Sequence, residues 1–284
     1  MREAEVVTGW LKTHEVSDWS SSMIRLVHML RRPQHMSPDA FAAFWRDVHG
    51  PLVASVQVDL DIARFVQLHR DPAGQGLDTK ASEARGGMCA PFDGIAEYWW
   101  RSENALRAAL ARPAGQAASE RLIESERQFT DLPASPLWFA TEFPQVATSL
   151  RRPVAHLRSG LMRLHFALQP KAELSEDEAR RYWLEVHGPL IRSHSPARGL
   201  MAYNQVHRRD IALVSSFADP RNVTAEAYLG HAESWFERPS DKEPTREMQV
   251  AMQAALTDEQ NFIDWNRSTI FVGKELVFID REWA

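Results

Sequence analysis

Hydrophobic and polar positions along the chain alternate between two periods. Ile24-Arg25-Leu26-Val27-His28-Met29-Leu30 is mostly apolar and predicts a buried strand. After a loop through His35, Ser37-Pro38-Asp39 reads as a helix start, with a hydroxyl N-cap, proline at the first helical position and an acid in the first turn. Phe41, Phe44, Trp45, Val48, His49 and Leu52 then recur at helical spacing and predict one apolar face, which Gly50-Pro51 should bring to an end. In Arg64–His69, alternation puts Phe65, Gln67 and His69 on one side of a second strand. Residues 71–91, rich in Gly, Ala, Ser and Pro, predict a long loop. Gly94–Trp100 predicts a third strand, Ser102–Leu110 and Ala117–Phe129 predict helix interrupted at Pro113, and Leu137–Phe143 predicts a fourth strand.

This β-α-β-β-α-β order is that of a ferredoxin-like unit, and the chain contains it twice. Phe44-Trp45-Arg46-Asp47-Val48-His49-Gly50-Pro51-Leu52 returns as Tyr182-Trp183-Leu184-Glu185-Val186-His187-Gly188-Pro189-Leu190, with 187 − 49 = 138 residues between the histidines. Gln67-x-His69 matches Gln205-x-His207 at the same offset, and Gly94-Ile95-Ala96-Glu97 matches Gly230-His231-Ala232-Glu233 at 230 − 94 = 136. The second helix adds Glu178 to Ser175, a capping box. The division expected is an N-terminal extension over 1–22 with a short helix around Glu3 to Lys12, a first repeat over 23–143, a linker over 144–160 and a second repeat over 161–284. A four-stranded sheet with helices on one face leaves the other bare. The expected fold is therefore α+β, two repeats packed sheet to sheet in one pseudo-two-fold body.

Composition narrows the function. Over 284 residues the net charge is −5 with both signs interspersed, and no basic stripe suggests a nucleic-acid or anionic-membrane partner. Cys89 is the single cysteine, so no intrachain disulfide or cysteine metal site is expected. No signal-peptide pattern or membrane-length apolar run occurs, and the expected location, by elimination, is cytoplasmic. Ten Trp, thirteen Phe and eleven His suit either an aromatic-rich core or an apolar small-molecule pocket.

The motifs Phe44-Trp45-x-x-x-His49-Gly50-Pro51-Leu52, Gln67-x-His69, Gly94-x-Ala96-Glu97-x-Trp99 and Phe129-x-Asp131, with their second-half counterparts, give the chain its likeness. It resembles a tandem EthD-type protein of the dimeric α/β-barrel superfamily, over about residues 23–143 and 161–280. The resemblance implies an intramolecular barrel and action on aromatic or polyketide-like small molecules. Cyclisation, decarboxylation, dehydration and monooxygenation without metal or flavin are implied chemistries, and some relatives bind haem.

His49 and His187 are the candidate catalytic residues. Burial would keep either imidazole neutral near pH 7, fit for general-base work. The alternative is structural, the ring bonding to backbone left open by the Gly-Pro break. His28, Trp45, Gln67, His69, Tyr98, Tyr182, Trp183, Tyr203 and His207 are candidate substrate contacts. Glu97 and Glu233 join them, either as orienting carboxylates or as ion-pair partners of Arg25 and Arg163. No metal-ligand motif or dinucleotide fingerprint occurs, so neither metal nor cofactor is expected. The halves differ at His28 against Phe166, Val27 against His165 and Phe44 against Tyr182, so their pockets need not be equivalent. These residues suggest a cofactor-independent lyase or cyclase, a non-catalytic binding or accessory protein for a hydrophobic metabolite, or a monooxygenase. A further homo-oligomer is also an expectation.

Overall fold

A computed structural model describes residues 23–149, 151–239 and 243–281. The proposed extension over 1–22, with its short helix, lies outside them. The first half contains β1 (Ile24–Leu30), α1 (Pro38–Phe44), α2 (Gly50–Ser55), β2 (Arg64–Arg70), α3 (Gln75–Glu83), β3 (Gly94–Trp100), α4 (Glu103–Ala111), α5 (Pro113–Glu126) and β4 (Leu137–Ala147). The second contains β5 (Leu161–Pro170), α6 (Glu176–Tyr182), α7 (Gly188–His194), β6 (Leu200–Arg209), α8 (Ser215–Ala218), β7 (Gly230–Glu237), α9 (Arg246–Glu259) and β8 (Ile263–Asp280).

The strands close into one antiparallel barrel in the order β1-β3-β2-β8-β5-β7-β6-β4. The two sets of four therefore meet at their edges as well as across the interior. The last strand of each set is long enough to serve both. β4 pairs with β1 through Leu137–Ala140 and with β6 through Phe139–Ala147, and β8 pairs with β5 and then β2. Closure leaves no barrel strand with an unpaired edge.

Alternation then sorts each strand between two environments. In β1, Val27 and Met29 join Leu68, Ile95, Trp138 and Phe271 in the barrel interior. Leu26 and Leu30 face the helices with Phe41, Trp45, Tyr98 and Trp100. Both faces are covered, which is why β1 reads as a continuous apolar run.

Two local expectations are corrected. The helix begun at Ser37, whose hydroxyl accepts from the Ala40 N–H, does not stop at Gly50-Pro51. It passes through a π turn, Trp45–His49, in which the Gly50 N–H bonds back to the Trp45 carbonyl, and continues as α2. The wide turn accommodates Pro51, which has no N–H to give. It also rotates the apolar face, so Phe41, Trp45 and His49 are buried while Val48 is 49% exposed. The same turn recurs at Trp183–His187. The second correction concerns 71–91, where α3 replaces most of the expected loop; Asp78 on it is buried and accepts from the Val272 N–H of β8. Among the described residues no helix is long and apolar enough to cross a membrane.

Candidate functional site

Three groups of the singled-out residues emerge. The first braces the π turns. Gln67 Nε2 donates to the Trp45 carbonyl at 2.8 Å, and Gln205 Nε2 to the Trp183 carbonyl at 2.7 Å. Each glutamine oxygen pairs with the strand histidine two residues on, His69 at 2.8 Å and His207 at 3.0 Å. Those rings lie against Trp45 and Trp183, each with centroids 4.3 Å apart. Burial lowers both histidines to a pKa of about 3. Tyr203 accepts from Trp183 Nε1 at 3.4 Å and Gln205 Nε2 at 3.3 Å, and burial raises its pKa to about 12.

Glu97 and Glu233 form the second group, inside the barrel. Arg25 donates to Glu97, to Glu142 at 3.1 Å and to Glu233 at 2.9 Å. Arg163 donates to Glu97 at 2.7 Å, to Glu275 at 3.0 Å and to Glu233. Burial alone would raise the Glu97 carboxyl, but Arg163 and Arg25 outweigh it and bring the pKa to about 2. The ion-pair alternative is thus the observed arrangement. Glu97, His165 and His231 also offer ligand atoms all within 4.8 Å of one another. The Arg25 guanidinium, however, lies 3.4 Å from His231 Nε2 and is bonded to Glu97. A metal cation there would face that fixed positive charge.

The third group lies between sheet and helices of the first half. His28 and Tyr98 project from β1 and β3 into a cavity walled by Leu26, Trp100, Leu122 and Phe217, beside Glu126 and Arg221. Its free volume is about 20 Å³, the room of one water. Arg221 comes from the second half and forks onto Glu126 at 2.6 and 3.1 Å. Burial lowers the His28 pKa to about 4, partly offset by the Glu126 charge and a hydrogen bond to the Ser135 backbone. Nε2 is buried and has no hydrogen-bond partner among the described residues, so with the proton on Nδ1 it offers a free lone pair. Tyr98 is pushed up by burial and stays protonated at neutral pH.

His49 lies beside this cluster, its Nδ1 3.0 Å from Ser125 Oγ on α5. Burial lowers it to about 4 as well. His187 makes the matching contact to α9 with a carboxylate, Nδ1 to Asp258 Oδ2 at 2.7 Å, and Tyr182 donates to Asp258 Oδ1 at 2.8 Å. Neither histidine bonds to backbone freed by Gly-Pro.

The second half has its own space between sheet and helices, about 270 Å³, lined by Leu164, Ser234, Phe236, Met252, Arg85 and Arg198 among others. Arg85 reaches over from the first half and forks onto Glu259 at 2.7 Å through each of two nitrogens. Sequence reading missed both cross-half arginines and their glutamates. The signal was present, because 221 − 85 = 136 repeats the Gly94-to-Gly230 offset and 259 − 126 = 133 repeats that of Phe129 and Phe262.

Comparison with known proteins follows the repeat. The EthD domain matches residues 33–133 and again 171–266. No curated protein sequence matches. Among solved structures, the chain is similar to one described as an "anthrone oxidase-like protein", at 9% identity and TM-score 0.49, covering 92% of this chain and 95% of that one. It is also similar to a "putative monooxygenase" of Lactobacillus acidophilus NCFM, at 7% identity and TM-score 0.45, covering 92% and 97%. With two matched segments spanning most of its length, the chain belongs to the EthD family.

Proposed function

We propose that the chain is a cofactor-independent lyase or cyclase for an apolar aromatic or polyketide-like small molecule, with His28 as general base. The observation that supports this reading is the His28 ring, neutral at physiological pH and presenting an unpartnered Nε2 to an apolar cavity. Nε2 takes a proton from an activated carbon or hydroxyl of the substrate, and the Glu126 carboxylate stabilises the imidazolium formed. Tyr98 donates to the oxyanion that develops. The same imidazolium then returns the proton. In a dehydration it goes to the hydroxide that leaves as the C–O bond breaks, and in a cyclisation to the alkoxide formed when the carbanion adds to a carbonyl. Where the proton came from a carboxyl group, it goes to the carbon left when its C–C bond to CO2 breaks. Since the cavity has room for only about one water as it stands, substrate enters by displacing Phe217. In this reading His49 positions α5 and Glu126, and His187 holds the corresponding helix of the second half.

The test is deuterium exchange at the acidic carbon of a small aryl β-diketone, benzoylacetone, followed by NMR. His28→Phe should lower the protein-catalysed rate by about 10²-fold or more, with the circular dichroism spectrum unchanged. His187→Ala should leave it within a few-fold. The wild-type rate should fall as pH drops through about 4, where His28 gains its proton. Full exchange by a folded His28→Phe protein would sink the assignment.

A further inference from the structure

We propose that the second-half pocket is a separate binding site for an amphiphilic carboxylate, an apolar body of one or two rings whose acid group is held by Arg198. The inference does not rest on the His28 reading, because no residue of the two sites is shared.

Room comes first. Tyr98 and Trp100 stand opposite Leu26 and Ile24 in the β1–β3 ladder, whereas Ser234 and Phe236 stand opposite Leu164 and Met162 in the matching β5–β7 ladder. Phe217, which closes the first cavity, is matched at the 136-residue offset by Ala81, which lines the second. Three large side chains have smaller counterparts, and about 270 Å³ is left where the first half leaves about 20 Å³. That is nearly twice the roughly 150 Å³ apolar cavity that takes a benzene. Leu164, Leu200, Phe236, Met248, Met252 and Leu256 supply apolar walls. Met252, 44% exposed, stands at the mouth.

Charge then selects the occupant. Lys80, Arg85 and Arg198 line the pocket, and among the described residues no carboxylate does. Arg85 is already held by Glu259. The Arg198 side chain makes no hydrogen bond or ion pair among the described residues, although it is half-buried. The Glu259 carboxylate, already held by Arg85, acts on it only from beyond bonding distance. A guanidinium withdrawn from water without a bonded partner gains by accepting an anion. Its planar fork matches the two oxygens of a carboxylate, and apolar walls on either side would cover the ligand body. Ser234 contributes a hydroxyl beside the acid group.

The full-length protein can be titrated calorimetrically with 2-naphthoate and its neutral analogue 2-naphthylmethanol. Wild type should bind the acid at least tenfold more tightly than the alcohol. Arg198→Gln should abolish that preference, and Ser234→Tyr, which installs the first-half residue, should abolish binding of both. Met252→Trp fills the mouth from an exposed position and should weaken both even if Ser234→Tyr fails to fold. The proposal is overturned if wild type binds neither compound at millimolar concentration, if it binds both equally, or if the folded filling variants bind 2-naphthoate unchanged. Benzoylacetone exchange should persist in Met252→Trp, so loss of one site is distinguishable from loss of the other.

Discussion

In the first half, the space between sheet and helices is packed by Tyr98, Trp100 and Phe217 around His28. In the second, Ser234, Phe236 and Ala81 leave a ligand-sized pocket, and Phe166 takes the place of the histidine. The supports around both spaces are the same. Each has a π turn braced by glutamine, a histidine tied to the last helix, and a glutamate–arginine fork reaching across from the other half. Duplication has thus separated two properties that one pocket would otherwise combine. The reactive-looking nitrogen sits where packing is tight and water is scarce, and the room sits where the surroundings are apolar.

The comparison can be broken most forcefully at the barrel centre, where both halves contribute alike. Arg25→Met or Arg163→Met would each leave buried carboxylates uncompensated and should cost about 3–5 kcal/mol in urea unfolding. A cost under about 1 kcal/mol for either would mean that the two arginines are not equivalent supports. Next comes pH. The folded-state pKa of His28 is lowered from 6.5 to about 4. Between those values the unfolded chain binds more protons, so stability should fall as pH drops through that window, by about 3 kcal/mol in all for this residue. His28→Phe, which copies Phe166, should reduce that slope by its own share, the other buried histidines keeping the rest. An unchanged slope would show that His28 contributes none of it.

Helix tethers test the halves at finer scale. Asp258→Ala removes a carboxylate partner of His187 and should cost about 1.5–3 kcal/mol, whereas Ser125→Ala removes a neutral partner of His49 and should cost about 0.5–1.5 kcal/mol. Equal losses in thermal unfolding would remove the distinction. The smallest effect is at the helix starts. Ser175 is bonded reciprocally with Glu178 while Ser37 only accepts, so Ser175→Ala should cost about 1 kcal/mol and Ser37→Ala somewhat less.

Much of the fold was legible because strands buried on both faces read as continuous apolar runs, and the repeat set their register. The π turn was not. Gly-Pro normally reads as a helix stop, and its continuation depends on Gln67 and Gln205 meeting carbonyls 22 residues earlier in sequence. Glycine suits the closeness there, since a Cβ at Gly50 would meet the Phe278 ring from the other half and that ring would have to move. Helix α3 was hidden by a composition typical of loops. Of the candidate site, His28 and Tyr98 were identified, but not that Glu126, Arg221 and Phe217 complete their cavity. Those contacts cross between halves, which no local period reports. Arg198 was missed for a simpler reason: it lies in a turn, and only the packed walls around it make its charge conspicuous.

The reciprocal arginines have one more consequence. Arg85 completes the second half and Arg221 the first, while Arg25 and Arg163 each bond a glutamate from the opposite repeat. If either repeat comes apart, its partner loses a buried counter-ion and a pocket wall at once. Intermediates with one repeat folded are therefore penalised from both directions. The chain has two repeats in its sequence, but it should melt in a single cooperative transition, with calorimetric and van't Hoff enthalpies in agreement.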